Sequence, residues 1–174
     1  IHYNSNFGTG AAGPTGATGE VSPQRVCQLR PSGDYTLTTG ATTYIQWATA
    51  DFADNPPYTV LPGATGAGGA THSTISIMGQ TDLDLRYYIE YDIAFQAVSR
   101  DVGCVSWIES KSNTLTNWTT VPGSTVSWEE DGSKDLNTES SACIFQASSG
   151  VTAGYDLRLV VEHNVGSGNI TIGG

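Results

Sequence analysis

Apolar and polar residues alternate through much of this chain, and one segment shows the pattern without interruption. In RYYIEYDIAFQA (86–97) every second residue from Tyr87 to Phe95 is aromatic or aliphatic, with Glu90 and Asp92 among the residues between them. Successive side chains of a strand point to opposite faces of a sheet. A period of two therefore predicts a half-buried strand with one apolar face.

Several further segments are rich in the β-branched and aromatic residues that strands favour. They are 35–52, 73–79, 103–110, 124–130, 141–149, 155–163 and 169–174. Gly40 predicts a turn or bulge inside the first of them, and the prolines and glycines of 54–72 predict a long loop. No segment shows the period of a helix. The chain is therefore predicted to be an all-β antiparallel sandwich of about eight or nine strands.

A different period occupies the segment GAAGPTGATGEV, from Gly10 to Val21. Glycine recurs there at every third position, as Gly10, Gly13, Gly16 and Gly19. The collagen triple helix requires this register, because only glycine fits at the crowded axis of three wound chains. A Gly/Ala/Thr-rich linker with accidental spacing is the alternative. The collagen-like interpretation predicts a stalk that joins three copies of the chain.

Length and charge narrow the classes of function. The 174 residues suffice for one domain with a short appendage. Seven Lys and Arg face 17 Asp and Glu, which gives a formal net charge of −10. Nucleic acids and anionic membranes attract positively charged proteins, so we expect no nucleic-acid partner for this acidic chain. No apolar run of about 18 residues is present, so we expect no membrane insertion.

The three cysteines, Cys27, Cys104 and Cys143, form neither an even disulfide framework nor a zinc motif. We therefore interpret them as structural thiols, with one exception. Cys27 follows the glycine triplets, where three chains would lie close together. It is the candidate for an interchain disulfide.

Motifs for catalysis and for tightly bound ions are weak. His2, His72 and His163 lie in no nucleophile-elbow or zinc-helix motif, so we predict that the chain is not an enzyme and needs no cofactor. Calcium is the one ion with candidate oxygen ligands, Asp82 and Asp84. These two residues match no EF-hand pattern, and we predict no defined metal site.

The order of these features resembles that of collagen-stalked proteins with C1q/TNF-like jelly-roll heads, as in trimeric viral or phage fibre and spike proteins. Three segments carry the resemblance: YTLTTGATTYIQWATADF (35–52), STISIMGQTDLDLRYYIEYDIAF (73–95) and AGYDLRLVVEH (153–163). The family's Gly-Tyr turn appears here as QTDLDLRYY. Tyr155 is inserted where the family usually has Ala-Gly-Asp.

The resemblance implies a homotrimer in which each chain has four parts. These are an N-terminal arm (1–9) that anchors to a capsid or tail protein, a collagen-like stalk (10–21), a connector (22–34) and a jelly-roll head (35–174). Four triplets span only roughly 35 Å at about 3 Å per residue, too short for a stable triple helix alone. The trimeric head would hold the three chains in register.

The function that this layout implies is structural and adhesive: a capsid or tail fibre, spike or decoration on the virion surface. Tyr58 and Trp118 lie in predicted loops and are candidate contacts for a host-surface receptor or glycan. Packing on the flank of the sandwich or at the subunit interface is the alternative for both rings. Alternative functions are a bacterial surface or spore filament, or a secreted C1q-like recognition protein, which would place the chain at a cell or spore surface or in the extracellular space.

Overall fold

The computed structural model describes residues 27–53, 59–60, 73–77, 85–97, 101–130, 136–151 and 154–173. These ranges contain thirteen strands: β1 (Cys27–Pro31), β2 (Tyr35–Leu37), β3 (Thr42–Tyr44), β4 (Trp47–Ala53), β5 (Thr59–Val60), β6 (Ile75–Ile77), β7 (Leu85–Ala97), β8 (Val102–Ser112), β9 (Thr119–Thr120), β10 (Val126–Glu130), β11 (Leu136–Ala147), β12 (Tyr155–Val165) and β13 (Ile170–Gly173). The same ranges contain no helix, and so none that could cross a membrane. The predicted all-β class is confirmed.

The strands form two main antiparallel sheets and one separate pair. The larger sheet has the order β10-β8-β12-β6-β5, with β3 beside β12 and β9 beside β8. The smaller sheet has the order β11-β7-β13-β2, and β1 pairs with β4. The chain crosses between the two main sheets from β2 to β3, β6 to β7, β7 to β8, β10 to β11, β11 to β12 and β12 to β13. These crossings stack the two sheets as a sandwich, as predicted.

The longest ladder joins β7 to β11 and confirms the alternation found in the sequence. It runs from the pair Leu85–Ala147 to the pair Gln96–Leu136. Ile93 and Phe95 are buried, whereas Asp92 between its apolar neighbours is exposed. One face of β7 therefore belongs to the core and the other to the surface.

Aromatic side chains of the two sheets contact each other in the core. Phe95 of the smaller sheet stacks on Trp128 of the larger one, with ring centroids 5.2 Å apart. Phe145 and Tyr155 meet edge to face across the sheets at 5.1 Å. Such pairs add specific geometry to the burial of large apolar surfaces.

A buried set of hydroxyl groups crosses the same core. The Ser124 hydroxyl accepts a hydrogen bond from the Ile108 backbone N–H at 3.0 Å and donates to the Val121 carbonyl at 2.8 Å. The Tyr91 hydroxyl of the opposite sheet donates to the Ser124 carbonyl at 2.7 Å. Burial raises the pKa of Tyr91, so the phenol stays a neutral donor. The hydrogen bond between Tyr91 and Ser124 thereby connects β7 to the loop before β10.

Two cysteines belong to this interior. Cys104 and Cys143 are free and buried. Burial raises the pKa of Cys104 to about 12, with a smaller contribution from the nearby Glu139, and burial also raises the pKa of Cys143. Both groups are therefore neutral thiols at ordinary pH, because burial disfavours the thiolate.

We expect neither buried thiol to react while the protein is folded. The thiolate is the reactive form, and both groups are enclosed and protonated. In a Cys27→Ser variant, iodoacetamide at about pH 8 should leave Cys104 and Cys143 unmodified by mass spectrometry. After unfolding in guanidinium, both should be alkylated. Rapid modification of Cys104 in the folded protein would contradict this description of the core.

Candidate functional site

A cluster of charged and aromatic side chains lies on the outer face of β8 and β12. In β12, Leu157 and Leu159 are buried in the core, which turns Asp156 and Arg158 to the other face. The ladder sets Arg158 directly opposite Glu109 of β8, and Asp156 directly opposite Lys111. Directly opposed side chains on one face are close enough to interact.

The Arg158–Glu109 ion pair is the centre of this outer-face cluster. Nε and Nη2 of Arg158 lie 2.7 and 2.6 Å from Oε2 of Glu109. The Trp107 indole N–H donates to Oε1 of the same carboxylate at 3.1 Å. Both carboxylate oxygens are thus engaged, and each side chain is only 17% exposed. Charge-assisted hydrogen bonds of this kind fix the orientation of the guanidinium.

Two aromatic rings enclose that guanidinium. Its central carbon lies 4.1 Å from the ring centroid of Tyr44 and 4.0 Å from that of Trp118. Tyr44 comes from β3, which pairs with β12, and Trp118 directly precedes β9, which pairs with β8. Tyr44 therefore approaches Arg158 from the β3 side of β12, and Trp118 approaches it from the β9 side of β8. Cation–π attraction holds them there.

A second ion pair extends the outer-face cluster. Lys111 Nζ lies 3.4 Å from Oδ2 of Asp156 and 5.0 Å from the centroid of Trp118. The Ser76 hydroxyl donates to Oδ1 of Asp156 at 2.8 Å. Each cation of the cluster thus has a carboxylate partner. The result is an aromatic surface whose charges are locally balanced.

The chemistry of this surface suits binding. Tyr44 remains 41% exposed, and Thr120, which lies opposite Glu109 on the same face, is also exposed. An aromatic face with hydroxyl groups beside it can contact the apolar and polar sides of a neutral ligand. Within the described ranges, no three His, Cys, Asp or Glu side chains converge as a metal site would require.

The structure places one of the predicted contact residues in this cluster. Trp118 is half-buried against Arg158 and Lys111. Tyr58, the calcium candidates and the stalk glycines lie outside the described residues: Tyr58, Asp82, Asp84, Gly10, Gly13, Gly16 and Gly19. Cys27 begins β1, within the segment predicted as a connector, but its side chain also lies outside the described residues.

His163 is the one histidine within the described ranges, and it is fully buried. Its Nε2 lies 2.9 Å from the Val165 carbonyl, an acceptor, so this nitrogen carries the proton and donates. The ring is therefore enclosed in the sandwich and separate from the outer-face cluster.

No protein-family model and no curated protein matches this chain. Among solved structures, the chain is similar to the enzymatically active domain of tailspike protein 4 of bacteriophage CBA120. The two are 13% identical with a TM-score of 0.28, and the match covers 82% of this chain and 18% of that chain. This chain thus spans less than a fifth of that structure. A similarity at this level assigns neither a fold family nor an activity.

Sequence reasoning missed the residues that complete the cluster around Trp118. Tyr44, Trp107, Glu109 and Arg158 all lie in segments predicted as strands. One signal was present: Arg158 interrupts the apolar run LRLVV, which places a long cation on the outer face of a strand with a buried inner face. The register that brings Glu109 opposite it is not visible in the sequence.

Proposed function

We propose that this chain forms the head of a trimeric structural and adhesive protein of a virion, with one sheet facing its copies and the other facing a host surface. The strand order supports a jelly roll. Strands β2, β13, β7 and β11 form one layer, strands β6, β12, β8 and β10 form the main part of the other, and successive connections cross between the layers. The glycine triplets, in which Ala, Pro and Thr fill most of the other positions, favour a fibre of the viral or bacterial kind.

One observation supports the proposed trimer. Tyr88 of β7 and Ile144 of β11 are direct cross-strand partners on the outer face of the smaller sheet. They are 68% and 62% exposed, although both are large apolar side chains. An exposed apolar pair on a long regular ladder is typical of a surface that another protein covers. A second and third copy of this chain would supply that surface around a threefold axis, and the heads so joined would hold the three stalks in register.

The opposite sheet would then point away from the axis. Its outer face carries the cluster of Tyr44, Arg158 and Trp118, which would meet a host receptor or glycan. The protein has a net charge of −10 and the cations of the cluster are paired, so an acidic ligand gains little there. A neutral glycan fits better, since sugar rings have apolar faces for aromatic contact and hydroxyl groups that can bond to Thr120, the β9 residue opposite Glu109.

The mass of the full chain in solution tests the proposal. Light scattering should give roughly 55 kDa, three times the 18.3 kDa of one chain. The double variant Tyr88→Ser, Ile144→Ser should lower the mass towards one chain, because it removes the apolar surface that the copies share.

Leu115→Ser is the matched control, because Leu115 is an equally exposed aliphatic residue in the loop after β8. It should leave the trimer intact. A wild-type mass of one chain contradicts the proposed trimer. A trimer that survives the double variant contradicts the assignment of this face.

A further inference from the structure

The interior of the sandwich contains a cavity of about 440 Å³ between the two sheets. Its lining comes from β6, β8 and β12 of the larger sheet, from β7 and β13 of the smaller sheet and from the separate pair β1 and β4. Binding sites for small molecules typically have volumes of about 300–1,000 Å³. This space is therefore large enough for a ligand of ordinary size.

The lining has a floor and an opening. Residues of the floor are buried, among them Ile45, Ile77, Ile93 and Leu157. Residues at the opening are half-buried: Trp47, Ile75, Tyr87 and Ile89. Exposure thus increases from the floor to these four residues, which belong to β4, β6 and β7. They mark the side on which the described part of the lining is open.

The walls determine what the cavity can hold. Most of the lining residues are aliphatic or aromatic, and Glu90, Asp92 and Arg158 are its charged members. Apolar walls offer water few hydrogen bonds, so cavities of this kind bind apolar molecules in preference to water. Without an occupant, the wall atoms also lose the dispersion contacts that packed interiors make. An apolar occupant would restore those contacts.

Charge excludes an anionic occupant. Of the described residues that line the cavity, Arg158 alone is basic. Its guanidinium lies on the outer face of the sheet, bonded to Glu109 and stacked between Tyr44 and Trp118. A carboxylate inside the cavity would have no cationic partner, and burying an unpaired charge is costly.

We propose that this cavity is a binding site for a small, neutral, apolar molecule, such as an aliphatic chain or a compact aromatic compound. The site is distinct from the outer-face cluster, and Tyr88 of the proposed trimer face is among the residues that line the cavity. The ligand enters on the side of Trp47 and Tyr87 and fills the space between the sheets.

Binding of N-phenylnaphthylamine, a neutral fluorescent probe, tests the proposal on the full chain. Its fluorescence should rise saturably, with one probe bound per chain. Decanol should displace it, and decanoate, with the same chain length and a negative charge, should compete at least about ten-fold more weakly. Absence of saturable binding, or equal competition by decanoate, would overturn the proposal.

A substitution at the opening locates the site. Ile75→Trp should weaken probe binding at least about ten-fold, because the larger ring occupies the mouth. Leu115→Trp, at an exposed loop position, is the matched control and should bind as the wild type does. If circular dichroism shows that Ile75→Trp does not fold, Ile89→Phe introduces a smaller ring at another residue of the same opening. Unchanged binding in a folded variant of either kind would place the probe elsewhere and overturn the assignment.

Discussion

Gly166→Ala is expected to lower the free energy of unfolding by at least about 4 kcal/mol, or to prevent folding altogether. Gly166 follows β12 and has a φ of +77°, a left-handed conformation that costs an alanine about 1–2 kcal/mol. A Cβ at this position would also collide with the carbonyl oxygen of Asp101 and press on the backbone of Val102. Val102 is completely buried, so the backbone cannot yield without disturbing the core.

Gly150→Ala separates the two contributions. Gly150 has a φ of +83°, but a Cβ built there meets no atom within 4 Å. This variant should lose only the conformational cost, about 1–2 kcal/mol. Urea unfolding followed by tryptophan fluorescence measures both variants, at one fixed protein concentration because association shifts apparent stability. Equal losses in the two variants would show that the contact between Gly166 and Asp101 does not constrain the fold.

The parts of the fold that follow from a local period were predictable from sequence. The alternation in β7 and the apolar face of β12 each appear as residues two apart, and the structure buries Ile93, Phe95, Leu157 and Leu159 accordingly. Gly40 was predicted as a turn or bulge, and it has a φ of +75° in the turn between β2 and β3. These features depend on neighbours along the chain alone.

Elements that depend on a distant partner were missed. β11 begins at Leu136, five residues before the predicted segment at 141. Its first part is polar, and it becomes a strand because β7 offers a long ladder from Asp92 to Gln96. β1 was interpreted as part of a connector, yet it pairs with β4. Tertiary pairing outweighs local composition in both cases.

The outer-face cluster shows the same limit at the level of single side chains. Sequence reasoning selected Trp118 because it is an aromatic residue in a predicted loop. The other members of the cluster come from the four strands β3, β6, β8 and β12, and only the register between β8 and β12 puts Arg158 opposite Glu109. A site built from cross-strand pairs has no spacing motif, so no pattern in the sequence identifies it.

Arg158→Met tests how strongly that cluster holds the larger sheet together. The variant keeps the length of the side chain but removes the guanidinium from Glu109, Tyr44 and Trp118. Loss of one partner from a buried ion pair costs about 3–5 kcal/mol, and the residual exposure of this pair lowers the expected loss to about 2–4 kcal/mol. Urea unfolding measures it, and the tryptophan fluorescence of the folded state should change as Trp118 loses the guanidinium that stacks on its ring.

Two companion variants separate the ion pair from the packing of the side chain. Lys111→Met removes a longer and more exposed contact, 3.4 Å from Asp156, and should cost no more than about 1 kcal/mol. Glu109→Gln combined with Arg158→Met should be more stable than Arg158→Met alone, because the double variant leaves no unpaired carboxylate. If the double variant is the less stable of the two, the Glu109 carboxylate stabilises the fold through its hydrogen bond from Trp107 even without Arg158. Either result bears on the proposed ligand contacts, because Arg158 lies between Tyr44 and Trp118.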